Sequence, residues 1–262
     1  MPNAYQFVRY EKKGHRAYVT LNRPQVLNAI HPPLNQELLD VWTDFIHDPE
    51  MWVAILTGSG ERAFSAGADL KYRTTEANEH GLRYPEAPRR HILERCYKPV
   101  IAAINGYAVG GGLELALRCD ILIAAEHAQL GLPEPRRGLL ADEGGVIKLP
   151  RRLPYHLAMG LVLTGKLITA QEAYRIGLVN AVVPMKELMP AAESWATEVL
   201  ECGPLAVQAA KQIVLETCDL SEIDAANRVE SLEAVRRMRE SQDYAEGPQA
   251  FAEKRKPVWQ AK

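Results

Sequence analysis

One stretch constrains this chain more than any other: "KPVIAAINGYAVGGGLELALRCDILIAAE", residues 98–126. Its runs "VIAAI" and "ILIAA" are short, continuously apolar and bounded by glycine or polar residues, which reads as strands buried on both faces. Between them, glycines lead into "LELALRC", which reads as a helix. "WVAILTGSG" (52–60) has the same design of apolar run and glycine turn. "RAYVTLN" (16–22) alternates like a strand and stops at Pro24. "PPLNQELLDVWTDFI" (32–46) has helical spacing, its two prolines tolerable only in a first turn. Strand, glycine turn and helix recur, so the expected fold is α/β, with parallel strands covered by helices.

After about residue 185 the strand signal disappears. "KELMPAAESWATEVL", "PLAVQAAKQIVLETC", "SEIDAANRVESLEAVRRMRE" and "YAEGPQAFAEKRK" all read as helices. The expected organisation is a core over residues 1–185 and a helical region over 186–262. Such a region has apolar faces to cover on the core, on another subunit, or on both. A length of 262 residues suits one large domain, or a domain with an appendage. The net charge of −2 gives no basic surface to argue for nucleic acid. No secretory leader is visible, and no apolar run reaches the roughly 18 residues of a membrane span. The four cysteines show no C-x-x-C spacing, so reduced thiols and a cytoplasmic location are expected. The seven histidines form no metal-binding motif, so no metal is expected.

The chemistry lies in the glycines and acids. Gly110, Gly111 and Gly112 precede a helix, where backbone N–H groups lack helical acceptors. They serve either a tight turn under close packing or a cradle for a developing oxyanion. Glu114 sits among leucines and alanines. It is either a helix-start acid favoured by the helix dipole or a buried carboxyl with a raised pKa. Glu134, twenty residues on and bracketed by prolines, is either a loop residue or a second acid for the same pocket. Two acids together permit one to take a proton from water and the other to deliver one to carbon. In "FSAGADLKY" (64–72) the Ala68 N–H is a plausible second donor beside that of Gly111. Ser65 lacks a G-x-S-x-G context and is no candidate nucleophile. "GLVLTGKL" (160–167) satisfies G-x-x-x-x-G-K, but its apolar helical interior and Leu167 argue against a phosphate loop.

Taken in order, these elements resemble the crotonase (enoyl-CoA hydratase/isomerase) superfamily over nearly the whole chain. The resemblance also covers "LNRPQVLNAI", "LGLPEPRRGL", "LTGKLITAQEAYRIGLVNAVVP" and the terminal "AFAEKRK". It implies a spiral of repeated ββα units and a helical C-terminal oligomerisation region, forming a homotrimer or a hexamer of paired trimers. It implies thioester-oxygen donors at Ala68 and Gly111 and catalytic glutamates at Glu114 and Glu134. It implies CoA contacts at Gln25, Val26, Leu27, Ala66, Asp69, Leu70 and Lys71. Phe251 and Lys254 match residues that reach the nucleotide of a neighbouring subunit's CoA. Retention of both glutamates favours an enoyl-CoA hydratase of fatty acid metabolism. CoA would be part of the substrate, and no separate cofactor is implied.

Three features depart from the pattern. Pro135 is expected to stiffen a strand after Glu134 and tilt its carboxylate. Asp142 and Glu143 read either as a polar helix start or, for Asp142, as an acid like that of dienoyl-CoA isomerases. Arg83, Tyr84, Arg89 and Arg90 could bind a polar acyl tail or form a surface loop. The alternatives are therefore an isomerase or a carnitinyl-CoA-type dehydratase. Outside enzymes they are an acyl-CoA-binding or RNA-binding relative.

Overall fold

The computed structural model describes residues 5–72 and 92–262. Arg83, Tyr84, Arg89 and Arg90 lie outside the described residues. An antiparallel pair, β1 (Val8–Lys13) and β2 (Arg16–Leu21), opens the fold, and α1 (Pro32–His47) follows. Three strand pairs come next: β3 (Val53–Gly58) with β4 (Ala63–Ser65), β5 (Val100–Ile104) with β6 (Tyr107–Val109), and β7 (Ile121–Ala125) with β8 (Gln129–Gly131). Helix α2 (Gly111–Ala116) follows β6, and a 3-10 turn (Glu134–Arg137) follows β8. Each pair places one strand in each of two sheets. The larger has the order β1-β2-β3-β5-β7-β10 and is parallel from β2 onward; the smaller has the order β4-β6-β8-β9. Between the third pair and β10 (Ala181–Val183) lie α3 (Gly145–Arg152), α4 (Tyr155–Thr164), β9 (Ile168–Thr169) and α5 (Ala170–Arg175). The α/β expectation holds.

The continuous apolar runs are explained by burial on both faces of the larger sheet. Alternate residues of a strand point to opposite sides. Ala54, Leu56 and Ala102 face the cluster that includes Leu34, Val41, Trp42 and Phe45 of α1. Val53, Ile55, Ile101 and Ile123 face Leu188, Ala192 and Ala196 of α6 (Leu188–Glu201). "GLVLTGKL" forms the end of α4 with Gly165 as its left-handed cap, not a phosphate loop.

After α6, helices α7 (Pro204–Thr217), α8 (Glu222–Val229), α9 (Glu233–Arg239) and α10 (Gln242–Ala252) complete the chain. Two helical readings need correction here. "SEIDAANRVESLEAVRRMRE" is two helices rather than one. Leu232 breaks into extended backbone, which buries it with Val235 against Ala209. The basic end of "AFAEKRK" is not helical either. Lys254 adopts φ +55°, and Arg255 turns back to pair with Glu246 and Glu253. The tail then lies across α10, where Asp243 accepts the N–H groups of Gln260 and Ala261.

Two buried asparagines hold the corner between the sheets. Asn105, 1% exposed, donates to the carbonyls of Gly58 (2.8 Å), Gly60 (2.6 Å) and Ala63 (3.1 Å) and accepts the Gly58 N–H (3.0 Å). Asn28 donates to Ser59 and Ala63 and accepts the Arg23 N–H. No apolar side chain can replace Asn105 without stranding buried backbone groups. Asn105→Ala is expected to lower stability by roughly 2–4 kcal/mol, because each stranded group costs about 1–3 kcal/mol. Urea denaturation measures this, and a midpoint equal to wild type would contradict the stapling role.

Candidate active site

Four of the sequence-predicted residues meet where the three strand pairs hand over to their following segments. The segment after β4 runs beside the 25–30 segment. Ala66 N–H donates to Leu27 O (2.9 Å), Ile30 N–H to Gly67 O (2.7 Å) and Asp69 N–H to Ile30 O (2.8 Å). In this parallel bridge the residues flanking Ala68 use their backbone groups on Ile30, and the Ala68 N–H has no acceptor among the described residues. Gly111 is the first residue of α2, so its N–H lies outside the helical ladder, and it too has no such acceptor.

The glycines bring these two donors together. A Cβ on Gly67 (φ +81°) would lie 2.6 Å from Val109 O and 2.8 Å from Gly111 N. One on Gly112 would lie 2.2 Å from Ser65 O, and one on Gly110 (φ +57°) 2.7 Å from Glu134 Oε1. Backbone atoms exclude a side chain at Gly67 and Gly112, and the positive φ disfavours one at Gly110. Gly111 differs from its two neighbours. The nearest atoms to a Cβ there would be Ala68 N at 3.5 Å, the Gly67 Cα at 3.6 Å and Glu114 Oε2 at 3.9 Å, all at ordinary contact distance. Glycine at 111 therefore avoids no clash, and a Cβ there would lie between the second donor and the acid. Ser65 is fully buried, donates to Asn28 O and accepts the Gly67 N–H, a structural role.

Glu114 is 2% exposed, and its Oε1 accepts the Gly145 N–H at 2.8 Å. Burial pushes its pKa up to about 7, with Glu134 and Glu143 adding repulsion and the Gly145 N–H and Arg118 opposing. Gly145 is itself confined, since a Cβ would lie 2.9 Å from Leu132 and 3.1 Å from Ala141. Glu134 opens the 3-10 turn, half-buried, and its Oε2 is buried with no hydrogen-bond partner among the described residues. Burial raises its pKa, and the charge of Asp142 adds to the rise. Two acids biased toward protonation thus flank two unclaimed N–H donors, an arrangement suited to proton transfer beside a developing oxyanion.

The expectation for Pro135 is corrected. It lies in the first turn of a 3-10 helix rather than in a strand, where its fixed φ fits and its missing N–H has no role. Asp142 and Glu143 do not cap α3; Gly144 (φ +108°) stands at that position without a side-chain bond. Asp142 is exposed, with its charge acting on Glu134.

Of the other predicted residues, Gln25 and Val26 are exposed, Leu27 has φ +55°, and Ala66, Leu70 and Lys71 line the adjoining segment in exposed positions. Asp69 is engaged internally, with Arg23 at 3.0 Å and the Tyr72 N–H at 3.1 Å. Phe251 is 86% exposed on α10; no hydrogen bond or ion pair joins it or Lys254 to the four central residues. Sequence reasoning missed Gly145. The pair Gly144–Gly145 before an apolar helix was the available signal, parallel to the triplet before α2.

A family model described as enoyl-CoA hydratase/isomerase matches residues 11–262. The chain belongs to that family. Within it, the chain is 40% identical over 257 residues to the (E)-benzylidenesuccinyl-CoA hydratase of Thauera aromatica, covering 96% of this chain and 98% of that one. It is 41% identical over 255 residues to a carnitinyl-CoA dehydratase of Salmonella paratyphi A, covering 96% and 97%. The crystal structure of an enoyl-CoA hydratase from Mycobacterium tuberculosis H37Rv superposes with a TM-score of 0.89 at 36% identity, covering 98% of this chain and 99% of that one. These relatives are hydro-lyases by name, and the expectation of an enzyme in a hydratase/isomerase family holds. Among the described residues no helix is long and apolar enough to cross a membrane, and no cluster of candidate metal ligands occurs.

The raised pKa of Glu114 carries a stability cost with a definite sign. Between the unfolded value of 4.5 and about 7, the unfolded chain ionises this acid while the folded chain does not, so stability falls as pH rises. The loss approaches roughly 3 kcal/mol above that window. Glu114→Gln is therefore expected to melt above wild type at pH 8 and to converge with it near pH 4.5. Thermal denaturation at both pH values checks this, and parallel pH profiles would contradict it.

Proposed function

We propose that the protein catalyses reversible syn addition of water to a trans-2-enoyl-CoA, giving a 3-hydroxyacyl-CoA. The observation that carries the proposal is the juxtaposition of the unclaimed Ala68 and Gly111 N–H groups with Glu114 and Glu134. In this reading the two N–H groups grip the thioester oxygen and stabilise the enolate, each worth roughly 3–4 kcal/mol as in other oxyanion holes. Glu114, held through Oε1 by Gly145, receives a proton from water at Oε2 as the water oxygen bonds to Cβ. Glu134 protonates Cα, and one proton passes from Glu114 to Glu134 to reset the pair. Glu114, raised to about 7, is poised to take and return a proton, and the upward shift of Glu134 favours the protonated form that a proton donor needs. The names of the two curated relatives, a hydratase and a dehydratase, describe the two directions of such a step.

CoA would lie along the paired segments, against Gln25, Val26, Leu27, Ala66, Leu70 and Lys71, with Asp69 contributing through its backbone. Residues 186–262 would mediate a trimer or a hexamer, with the exposed Phe251 and the left-handed Lys254 reaching a neighbouring subunit's CoA. A panel of 2-enoyl-CoA thioesters with aliphatic, aromatic and carboxylated tails defines the acyl group.

The glutamate pair provides the test. Loss of the conjugated thioester absorbance of crotonyl-CoA, or of the best panel member, should proceed with wild type. It should fall by about 10³-fold or more in E114Q/E134Q. CoA binding measured by calorimetry should persist in that variant. Turnover by the double variant, or wild-type activity confined to 3-enoyl-CoA, would overturn the proposal.

A further inference from the structure

Glu114 and Arg118 sit four residues apart, at the start and just past the end of α2, and both reach the same loop. Glu114 Oε1 accepts the Gly145 N–H. The Arg118 guanidinium donates through Nη2 to the Glu143 carbonyl, and the same nitrogen stands 3.3 Å from Glu143 Oε2. The Arg118 side chain is only 5% exposed, and its Nε, 3.7 Å from Glu94 Oε1, makes no hydrogen bond among the described residues. A buried guanidinium on a carbonyl is stronger than a neutral pair and loses little freedom on binding, because its fork is rigid. The two attachment points are separated by Gly144 alone, at φ +108°, so an anchor on the Glu143 carbonyl is transmitted directly to the Gly145 N–H. Neither Asp142 nor Glu143 caps the helix that follows.

We propose that Arg118 is a positioning residue: by anchoring the Glu143 carbonyl to the end of α2, it fixes the Gly145 N–H on Glu114 Oε1 and so leaves Oε2 facing the Gly111 side of the site. The inference rests on the reading of Glu114 as the base that accepts a proton from water. Without Arg118 the Gly145–Glu114 hydrogen bond no longer has the neighbouring Glu143 anchor beside it, and the carboxylate loses the frame that sets its rotation. The same loop carries Asp142, whose charge acts on Glu134, so the latch also sets the spacing of the second acid's neighbour. The charged groups acting on Glu114 are Arg118 just past the end of its helix, Glu143 on the loop and Glu134 on the 3-10 turn. Arg118 lowers its pKa and Glu143 raises it.

The test compares kcat, KM and the pH dependence of kcat for hydration in R118M, R118K, E143Q and E114Q. R118M should keep KM within a few-fold and lose about 10²-fold in kcat, the scale expected when a reacting group is misplaced by about 1 Å. Its acid limb should move to higher pH, and that of E143Q to lower pH. R118K should recover part of the rate. A purely structural role for Arg118 would lower the amount of folded enzyme without moving either limb. A folded R118M with wild-type kcat and an unshifted acid limb overturns the latch. If R118M does not fold, an unshifted limb in E143Q overturns it instead. Full turnover in E114Q would overturn the assignment of Glu114 itself; an inactive E114Q beside an unaffected R118M overturns the latch alone.

Discussion

A carboxyl group sealed from water beside a single backbone donor is the constraint on which this structure turns. Glu114 has given up nearly all hydration, and the Gly145 N–H returns only part of what was lost. A fully hydrogen-bonded carboxylate would stay acidic and unreactive; an unpartnered one would stay protonated. One N–H on one oxygen holds the group between those limits and leaves the other oxygen on the Gly111 side. The demand spreads outward from there. Position 145 must lack a side chain to fit against Leu132 and Ala141, and the preceding glycine must turn through a left-handed angle. The loop that holds them needs an anchor elsewhere.

The double-sheet winding explains how such a site is assembled. Each strand pair crosses from the larger sheet to the smaller and then releases a segment on the same side. Ala68 follows the first pair, Gly111 and Glu114 the second, and Glu134 the third. Functional groups distant in sequence therefore arrive in register because parallel strands stack their ends in line. The polar corner of Asn28 and Asn105 holds that register without apolar bulk, which the close backbone approaches at Gly58 and Gly106 would not admit.

The strands were legible because burial on both faces writes itself as continuous apolar residues, and the helices because α1 and α6 carry regular apolar spacing. The glycine triplet was legible as chemistry but not in its division of labour. Gly112 yields to packing and Gly110 to its positive φ, whereas Gly111 has only ordinary contacts opposite, a distinction that depends on what surrounds each. Pro135 was misread because proline signals a restricted φ without saying which element it restricts. Leu232 was missed as a helix break because an apolar residue in a helical pattern looks the same whether it continues the helix or turns inward. Arg118 carried no readable sign, since its guanidinium meets a backbone carbonyl that no side-chain pattern marks, whereas Gly145 had only the glycine pair to mark it.

The larger sheet has a consequence for the order in which the chain is made. Its strands from β3 to β7 are complete by residue 125, but the face formed by Val53, Ile55, Ile101 and Ile123 is covered only by α6, residues 188–201. A chain emerging from the ribosome therefore displays a wide β-branched surface through the synthesis of more than sixty further residues. Such surfaces adhere to one another before they are covered. The segments that carry Ala68, Gly111, Glu114 and Glu134 are all made before that helix, so protection of this face from aggregation waits for an element outside the candidate site.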